Sequence, residues 1–499
     1  MHAYLNHVPA VVLRLDRNPF HHGTLGAVRS LGRKGVEVHA VVEAGGGPMG
    51  RSRYLRAVHP GPVGGLDPEA PEALLECLTE VSERIGRPAV LIAMDDLSAI
   101  AVSRVAPTLR ERFRIPHQPD NLPARVADKA ELSRLCARWD VPHPETVIPA
   151  SGAEAAEAAW RLGLPVIAKW SRPWLLPTGA DGLRSTMLVH TTAEARRLYE
   201  RSAEAGSRLL LQRFLPAGAD TDWFFHGAFA RGGRPLLAGS GRKELSWPVR
   251  TGLTAVGRWL PDPAVEEAGL RLAERLGYQG ILDLDFRRDE SGCFRLVDFN
   301  PRPGAQFRLF ADSAGLDVVQ AMYLDLTGQQ VPRPSGGPGR VFVAENYALL
   351  ARIRGGAMPR RPVAVPVDPA RSAGASASSA PGADRGTAPK RAPKRAVERG
   401  RVETAWFAAD DLLPFLAMLG ALLGRGAGKG ARALRGVPGQ GRRTALAVVR
   451  APRQRGRNQS EAGSAATAGS AGNAGTAGSA SRQPVPPGAS AEPDELVTR

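Results

Sequence analysis

The sequence predicts a mixed fold, α/β at its start and α+β after that, ending in a disordered basic extension. Three observations predict this. Short apolar runs at Val11–Leu15, Val36–Val42 and Ala89–Met94 have the length and composition of buried parallel strands. Helix and strand signals then alternate irregularly from about residue 123 to 330. After about Gly328 the pattern loosens into Ala-, Gly-, Ser- and Pro-rich sequence.

Taken in order, a helix over Gly23–Lys34 lies between the first two runs, giving the strand–helix–strand spacing of a Rossmann-like opening over 1–122. Pro71–Ile85 supplies another helix. Asp95 and Asp96 sit at the carboxyl end of the Ala89 strand, where open α/β sheets bind ligands; Asp96 is also well placed to cap a helix over Leu97–Val105. Ala124–Trp139 reads as one helix, followed by strands at Glu145–Ile148, Pro165–Trp170, Thr186–Val189 and Leu209–Phe214, with helices at Ala153–Leu162 and Ala193–Ala205. Trp223–Phe229 and Leu236–Ser240 read as a hairpin, and Val265–Leu276 as a helix leading into Ile281–Phe286. The domain plan is 1–122, then 123–330 in two lobes (about 123–210 and 211–330). A peripheral extension follows at 331–367, a disordered linker at 368–405, a short apolar and basic segment at 406–450 and a low-complexity tail at 451–499.

At 499 residues with 43% hydrophobic content, the chain has material for two or three cores. Its 56 glycines and 42 prolines point to unstructured stretches as well as turns. Of the net charge of +17, more than half falls after Pro366, so a nucleic-acid role would rest mainly on the tail. That tail lacks the aromatic residues that stack on single-stranded bases, and no specific nucleic-acid partner is expected. Cys77, Cys136 and Cys293 are widely spaced, which fits a reducing, cytoplasmic setting. Phe407–Leu423 with the basic residues up to 450 is a candidate for weak contact with a membrane surface, against the commoner reading of a helix packed on the body. His21-His22 lacks a third ligand at useful spacing and reads as loop.

The chemistry concentrates in Ile281-Leu-Asp-Leu-Asp-Phe286 and Arg295-Leu-Val-Asp-Phe-Asn-Pro-Arg-Pro-Gly304. Residues two apart on a strand share a face, so Asp283 with Asp285, and Asp298 with Asn300, point together. Arg287–Gly292 suits a hairpin connection between them. Asp285, Asp298 and Asn300 then form a hard oxygen site of the kind that holds Mg²⁺ or Mn²⁺ against phosphates, with Arg302 beside it. On the acids alone, a solvated hairpin is the competing reading; Arg302 between two prolines argues against an ordinary surface turn.

Upstream, Asp128-Lys129 opens a helix, Lys169 ends an apolar strand, and Gln212-Arg213-Phe214-Leu215 precedes Pro-Ala-Gly and Asp220-Thr-Asp222. Together with Gly241-Arg-Lys-Glu-Leu-Ser-Trp-Pro248, this order resembles the ATP-grasp superfamily, in its carboxylate–amine ligase-like branch, over roughly residues 1–330. The resemblance implies a Rossmann-like domain followed by a two-lobed ATP-grasp fold. It implies an ATP- and Mg-dependent ligase that activates a small carboxylate as an acyl phosphate and couples it to an amine. Lys129 and Lys169 would meet the α- and β-phosphates, and Gln212 with the backbone of Arg213, Phe214 and Leu215 would form the adenine hinge. Asp220 or Asp222 would accept from the ribose. Arg302 would act on the transferring phosphoryl group, and Arg242 and Lys243 on the γ-phosphate or the carboxylate; Gln306 and Arg308 are weaker substrate-side candidates. Two features depart from the family pattern: the loop 171–184 carries only Gly179 and Gly182 beside Trp174, and Asp298 stands where glutamate is commoner. The alternatives are a non-catalytic ATP-binding regulator of the same fold and a tail-driven nucleic-acid or membrane binder. Oligomeric state is not legible.

Overall fold

Each predicted parallel strand of the opening pairs as expected in the computed structural model, which describes residues 6–16, 18–42, 44–62, 70–119, 121–176, 182–218, 220–248, 252–353 and 401–435. All of them belong to one unit, Met1–Gly436. The expected tail over 451–499 lies outside the described residues.

The first sheet is built from β1 (Ala10–Arg14), α1 (His22–Gly32), β2 (Val38–Val42), β3 (Leu55–Pro60), α2 (Glu72–Ile85), β4 (Ala89–Ala93), α3 (Asp96–Leu109) and β5 (Phe113–Arg114). Its strand order is β3-β2-β1-β4-β5, and all four pairings are parallel. β1 and β2 are buried throughout, as helix-covered parallel strands must be. The edge strand β3 is half-polar, Leu-Arg-Ala-Val-His-Pro, and carries no apolar run to announce it.

Next come α4 (Leu122–Ala127) and α5 (Lys129–Arg138). The single helix expected over Ala124–Trp139 is broken at Asp128. That residue adopts an extended conformation, and its carboxylate accepts from the Ala130 and Glu131 amides. An aspartate able to satisfy two orphan amides competes with helix continuation, and here it wins. A small antiparallel sheet of order β6-β9-β7-β8 follows. It comprises β6 (Thr146–Val147), α6 (Gly152–Leu162), β7 (Val166–Trp170), β8 (Thr186–Val189), α7 (Thr192–Glu200), α8 (Ser202–Ala205) and β9 (Leu209–Arg213). Residues 177–181 of the connection between β7 and β8, including Gly179, lie outside the described residues.

The third sheet is the largest. Its elements are β10 (Asp222–Ala230), β11 (Arg234–Trp247), β12 (Leu253–Trp259), α9 (Pro263–Arg275), β13 (Gly280–Arg288), β14 (Phe294–Asn300), α10 (Val318–Leu326), β15 (Val341–Val343), α11 (Glu345–Ile353), β16 (Val402–Thr404) and α12 (Leu413–Arg435). The strand order is β14-β13-β10-β11-β12-β15-β16. One expectation needs correction here. The extension, in which Arg340–Leu349 reads as one more strand or helix edge, supplies β15, which pairs with β12, but the linker expected to run to 405 ends in β16, which pairs with β15. Open strand edges need partners, and Trp406 just beyond β16 is fully buried in the core shared by β1, α1 and α10. The Ala/Ser/Pro-rich surroundings hide this short anchoring piece from composition.

α12 starts with Pro414 in its first turn, as expected, but its entry is not capped by an aspartate. The Leu412 carbonyl accepts from the Phe415 and Leu416 amides. Asp411 instead turns inward to Arg29 (2.9 Å), Ser52 Oγ (2.7 Å) and the Arg53 amide (2.9 Å). Among the described residues no helix is long and apolar enough to cross a membrane.

Candidate active site

β13 and β14 pair so that Asp285 stands directly opposite Asp298 and Asp283 opposite Asn300. The strands alternate: Leu282, Leu284 and Phe286 are buried on one side and leave the acids to the other. The predicted acid–amide face therefore exists as a surface within the fold rather than on a solvated hairpin.

Cations converge on it from three directions. Lys129, at the first position of α5, is ion-paired with Asp298 Oδ1. Lys169 reaches over from β7 of the small sheet, and its Nζ donates to the Val297 carbonyl at 2.8 Å, next to Asp298. Lys243, on β11, lies 3.6 Å from Asp285 Oδ1. Burial pulls the Lys169 ammonium down to about 8, only partly offset by Asp298. Lys129 is also desolvated, but Asp298 and Asp96 outweigh that and hold its ammonium above the usual lysine range. Asp298 responds in the opposite direction: despite burial, Lys129 and Lys169 keep its carboxyl below the ordinary range. Asp285 is pushed up, first by burial and then, against Lys243, by the negative charges of Asp283 and Asp298.

Arg302 anchors the loop after β14. It donates through Nε to Asp96 Oδ1 (3.1 Å), through Nη2 to Asn300 Oδ1 (3.1 Å) and through Nη1 to the Pro303 carbonyl (3.2 Å), with Asp283 Oδ2 at 3.5 Å. Asp96 is free to do this because Asp95, not Asp96, caps α3, accepting from the Ser98 amide at 2.8 Å. The expected cap is thus off by one residue. Asp283 also sits 2.5 Å from Nε2 of the fully buried His226. The loop can approach this pair only because residue 304 is glycine: a Cβ there would fall 2.3 Å from His226 Cε1 and 2.6 Å from Asp283 Oδ2.

The hinge candidates lie at the end of β9. Gln212 is buried and donates to Thr146 Oγ1 (2.9 Å), while Arg213 is exposed and paired with Glu145 at 2.6 Å. Phe214 is partly buried, and the Leu215 carbonyl accepts from Arg287 (3.1 Å). Asp222 pairs with Arg287 at 2.7 Å, and Asp220 with Arg242 at 2.5 Å, so the geometry leaves both open as ribose acceptors. Arg242 is thereby separated from Lys243: it is committed to Asp220 and Glu244, whereas Lys243 turns to the acids. Gln306 is buried with its amide 3.3 Å from His226. Arg308 is clamped by Asp317 (2.5 Å) and Glu403 (3.1 Å) and fastens β16 to the core.

Sequence reasoning missed His226 as a member of this cluster and weighed Asp96 as a cap; the one signal for His226 was a lone polar residue in the apolar strand Trp-Phe-Phe-His. His21 is the N-cap of α1, accepting from the Thr24 amide, and His22 is buried, so neither is set up as a ligand.

The donor set suits a divalent cation. Two opposed carboxylates and an amide oxygen are hard ligands brought together on one face of the paired strands. Among the described residues no group of three or more His, Cys, Asp or Glu side chains is arranged for a metal, so the remaining ligands would come from phosphate oxygens and water.

No known family profile matches the chain. Over 245 residues it is 24% identical to the C-terminal section of the carbamoyl phosphate synthase large chain of Methanopyrus kandleri, covering 46% of this chain and 43% of that protein. Over 285 residues it is 24% identical to the D-aspartate ligase of Enterococcus faecium, covering 54% and 66% respectively. These similarities agree with the resemblance to the ATP-grasp superfamily that the sequence carries. The chain matches less than half the length of the carbamoyl phosphate synthase relatives. Among solved structures it is similar to the biotin carboxylase domain of Hydrogenobacter thermophilus 2-oxoglutarate carboxylase (TM-score 0.49, 17% identity, 66% of this chain and 73% of that one). It is also similar to N5-carboxyaminoimidazole ribonucleotide synthetase of Thermus thermophilus (TM-score 0.47, 16% identity, 66% and 81%).

Proposed function

We propose that the protein is an ATP-dependent ligase that activates a carboxylate as an acyl phosphate and joins it to an amine. The observation that carries this reading is the meeting of Lys169, from the small sheet, with Lys129, Asp298 and Asp285 of the large lobe. Lys169 from the small sheet and Lys129 with the carboxylates of the large lobe form a clamp for a metal-bound triphosphate.

In the proposed reaction a substrate carboxylate oxygen attacks the γ-phosphorus of ATP and ADP leaves. The amine nitrogen then attacks the acyl carbon, inorganic phosphate departs and the nitrogen gives up a proton. Lys129 and Lys169 hold α- and β-phosphate oxygens as point charges. Asp285, Asp298 and Asn300 would hold Mg²⁺ or Mn²⁺, which would supply charge neutralisation on the phosphates. Arg302, oriented by Asp96 and Asn300, neutralises the transferring phosphoryl group, and Lys243 faces the same charge from β11. Gln212 and the 213–215 backbone take the adenine.

The test is ADP release that requires ATP, Mg²⁺, a carboxylate and an amine together, screened over amino acids and small carboxylates. Asp298→Ala with Asn300→Ala should abolish it while the protein stays folded; turnover that survives overturns the assignment. A non-catalytic nucleotide-binding role is the second reading, favoured by the glycine-poor 171–184 loop. It predicts ATP binding with no ADP formed under any pair of substrates. A role for the basic tail is separated by ending the chain after Gly436. A cut at Pro366 would also remove β16 and Trp406 and confound loss of function with loss of fold.

A further inference from the structure

A cavity of about 500 Å³ opens between α3 of the first domain and the start of β13, within the range of small-molecule pockets. Its floor and walls are apolar, including Ile92, Ala99, Val102, Ala106, Ile115 and Met322. Arg302 lines it, so it is continuous with the acid and cation cluster. Among the described residues no Asp or Glu lines it; the charged ones that do are Arg302 and Arg110. Four of the five N–H groups of Arg302 are spent on Asp96, Asn300, Pro303 and Asp283, which leaves one for a further acceptor. Gln118 adds a specific polar group. Its Nε2 donates to the Gln279 carbonyl, which fixes the amide, and its Oε1 is buried without a partner.

Taking the ligase reading as its basis, we infer that this cavity binds the carboxylate substrate, and that this substrate has an aromatic or branched aliphatic body. The carboxylate faces Arg302, the body fills the apolar space, and a hydroxyl or N–H on the body satisfies Gln118 Oε1. An amine-bearing substrate of the same shape is disfavoured there, because among the described lining residues an ammonium would meet two guanidinium groups and no carboxylate. A small, fully polar acid such as glycine would leave most of the apolar volume unfilled.

Calorimetric titration of the full chain without nucleotide tests this. The probes are 3-phenylpropanoate, 2-phenylethylamine as its cationic counterpart, and acetate. The acid should bind, and both the amine and acetate should bind at least about tenfold more weakly. Ala106→Phe and Ser103→Phe place a ring in the cavity from α3. Each should weaken 3-phenylpropanoate about tenfold or more. Ser103 spends its hydroxyl on the Ile100 carbonyl of its own helix (2.7 Å), so its replacement keeps the test usable if Ala106→Phe fails to fold. No binding of the acid, equal binding of the amine, or unaltered affinity in a folded filled variant overturns the inference. A separate titration of wild type with MgATP distinguishes the two ideas: acid binding without MgATP binding would sink the ligase reading and leave the cavity assignment standing.

Discussion

Arg302 donates its Nε hydrogen to Asp96 Oδ1 across 3.1 Å, tying the loop after β14 to the first turn of α3 in the opening domain. In the proposed reaction the pair would make the first domain part of the chemistry, since the guanidinium proposed to face the phosphoryl group takes its orientation from Asp96, outside the two lobes. Asp96→Asn keeps a hydrogen-bond acceptor and removes the charge. It should lower kcat/KM for the carboxylate about tenfold, with MgATP affinity moving less. Steady-state kinetics with each substrate varied in turn checks this; an equal loss for MgATP would place Asp96 in nucleotide binding instead.

With Lys169 on the phosphates, as proposed, its titration would set a pH limit on nucleotide binding. Its ammonium, lowered to about 8 by burial, is charged below that value and neutral above it. MgATP affinity is therefore expected to be level below about pH 8 and to fall by up to tenfold per unit above it, until the pKa of the complex is reached. For stability the sign is reversed. Between about 8 and the ordinary lysine value the unfolded chain binds a proton that the folded chain does not, so Lys169 costs folding energy at neutral pH, and the cost is relieved as pH rises. Lys169→Met should abolish MgATP binding and raise the Tm of the nucleotide-free protein by about 1–3 °C at pH 7. A lower Tm in that variant would show that the Val297 contact outweighs burial.

The two-residue alternation of Asp283, Asp285, Asp298 and Asn300 made the acid face legible in the sequence, because a strand's geometry follows from period alone. Lys169 was legible as a lone charge ending an apolar strand. What escaped depended on distant partners. Asp128 breaks a continuous helical pattern because two amides prefer its carboxylate, and the capping role passes from Asp96 to Asp95 because Arg302, more than 200 positions away, claims Asp96. β16 and Trp406 are separated from the rest of their sheet by residues 354–400, whose composition masks the short anchoring segment.

Asp285 offers a direct probe of metal binding. Its carboxyl is held above the ordinary range by burial and by Asp283 and Asp298, so the folded protein retains a proton there that the unfolded chain has lost. Its contribution to stability is therefore favourable in acid and falls as pH rises through the folded value. Asp285→Asn should raise the metal-free Tm at pH 7, and Mg²⁺ with a nucleotide should raise the wild-type Tm but not that of the variant. Thermal melts with and without EDTA read both effects; a variant that still responds to Mg²⁺ removes Asp285 from the ligand set.

The buried pair of Arg29 and Asp411 gives the last expectation. Arg29 donates to Asp411 Oδ2 at 2.9 Å and to the carbonyls of Trp406 (2.8 Å) and Asp411 (2.7 Å), so one side chain of α1 gathers the whole turn before α12. Burial lowers the guanidinium below its usual range, and Asp411 is the charge that opposes this. Asp411→Asn leaves that cation buried without its counter-charge, a change that costs about 3 kcal/mol. Because β16 and Trp406 hang on the same turn, the loss should appear as release of the segment 401–435. Limited proteolysis should cut the variant there before the remainder, and a urea melt should show a lower midpoint. If the segment stays protected and the midpoint holds, the backbone hydrogen bonds of β16 and the burial of Trp406 suffice without the ion pair.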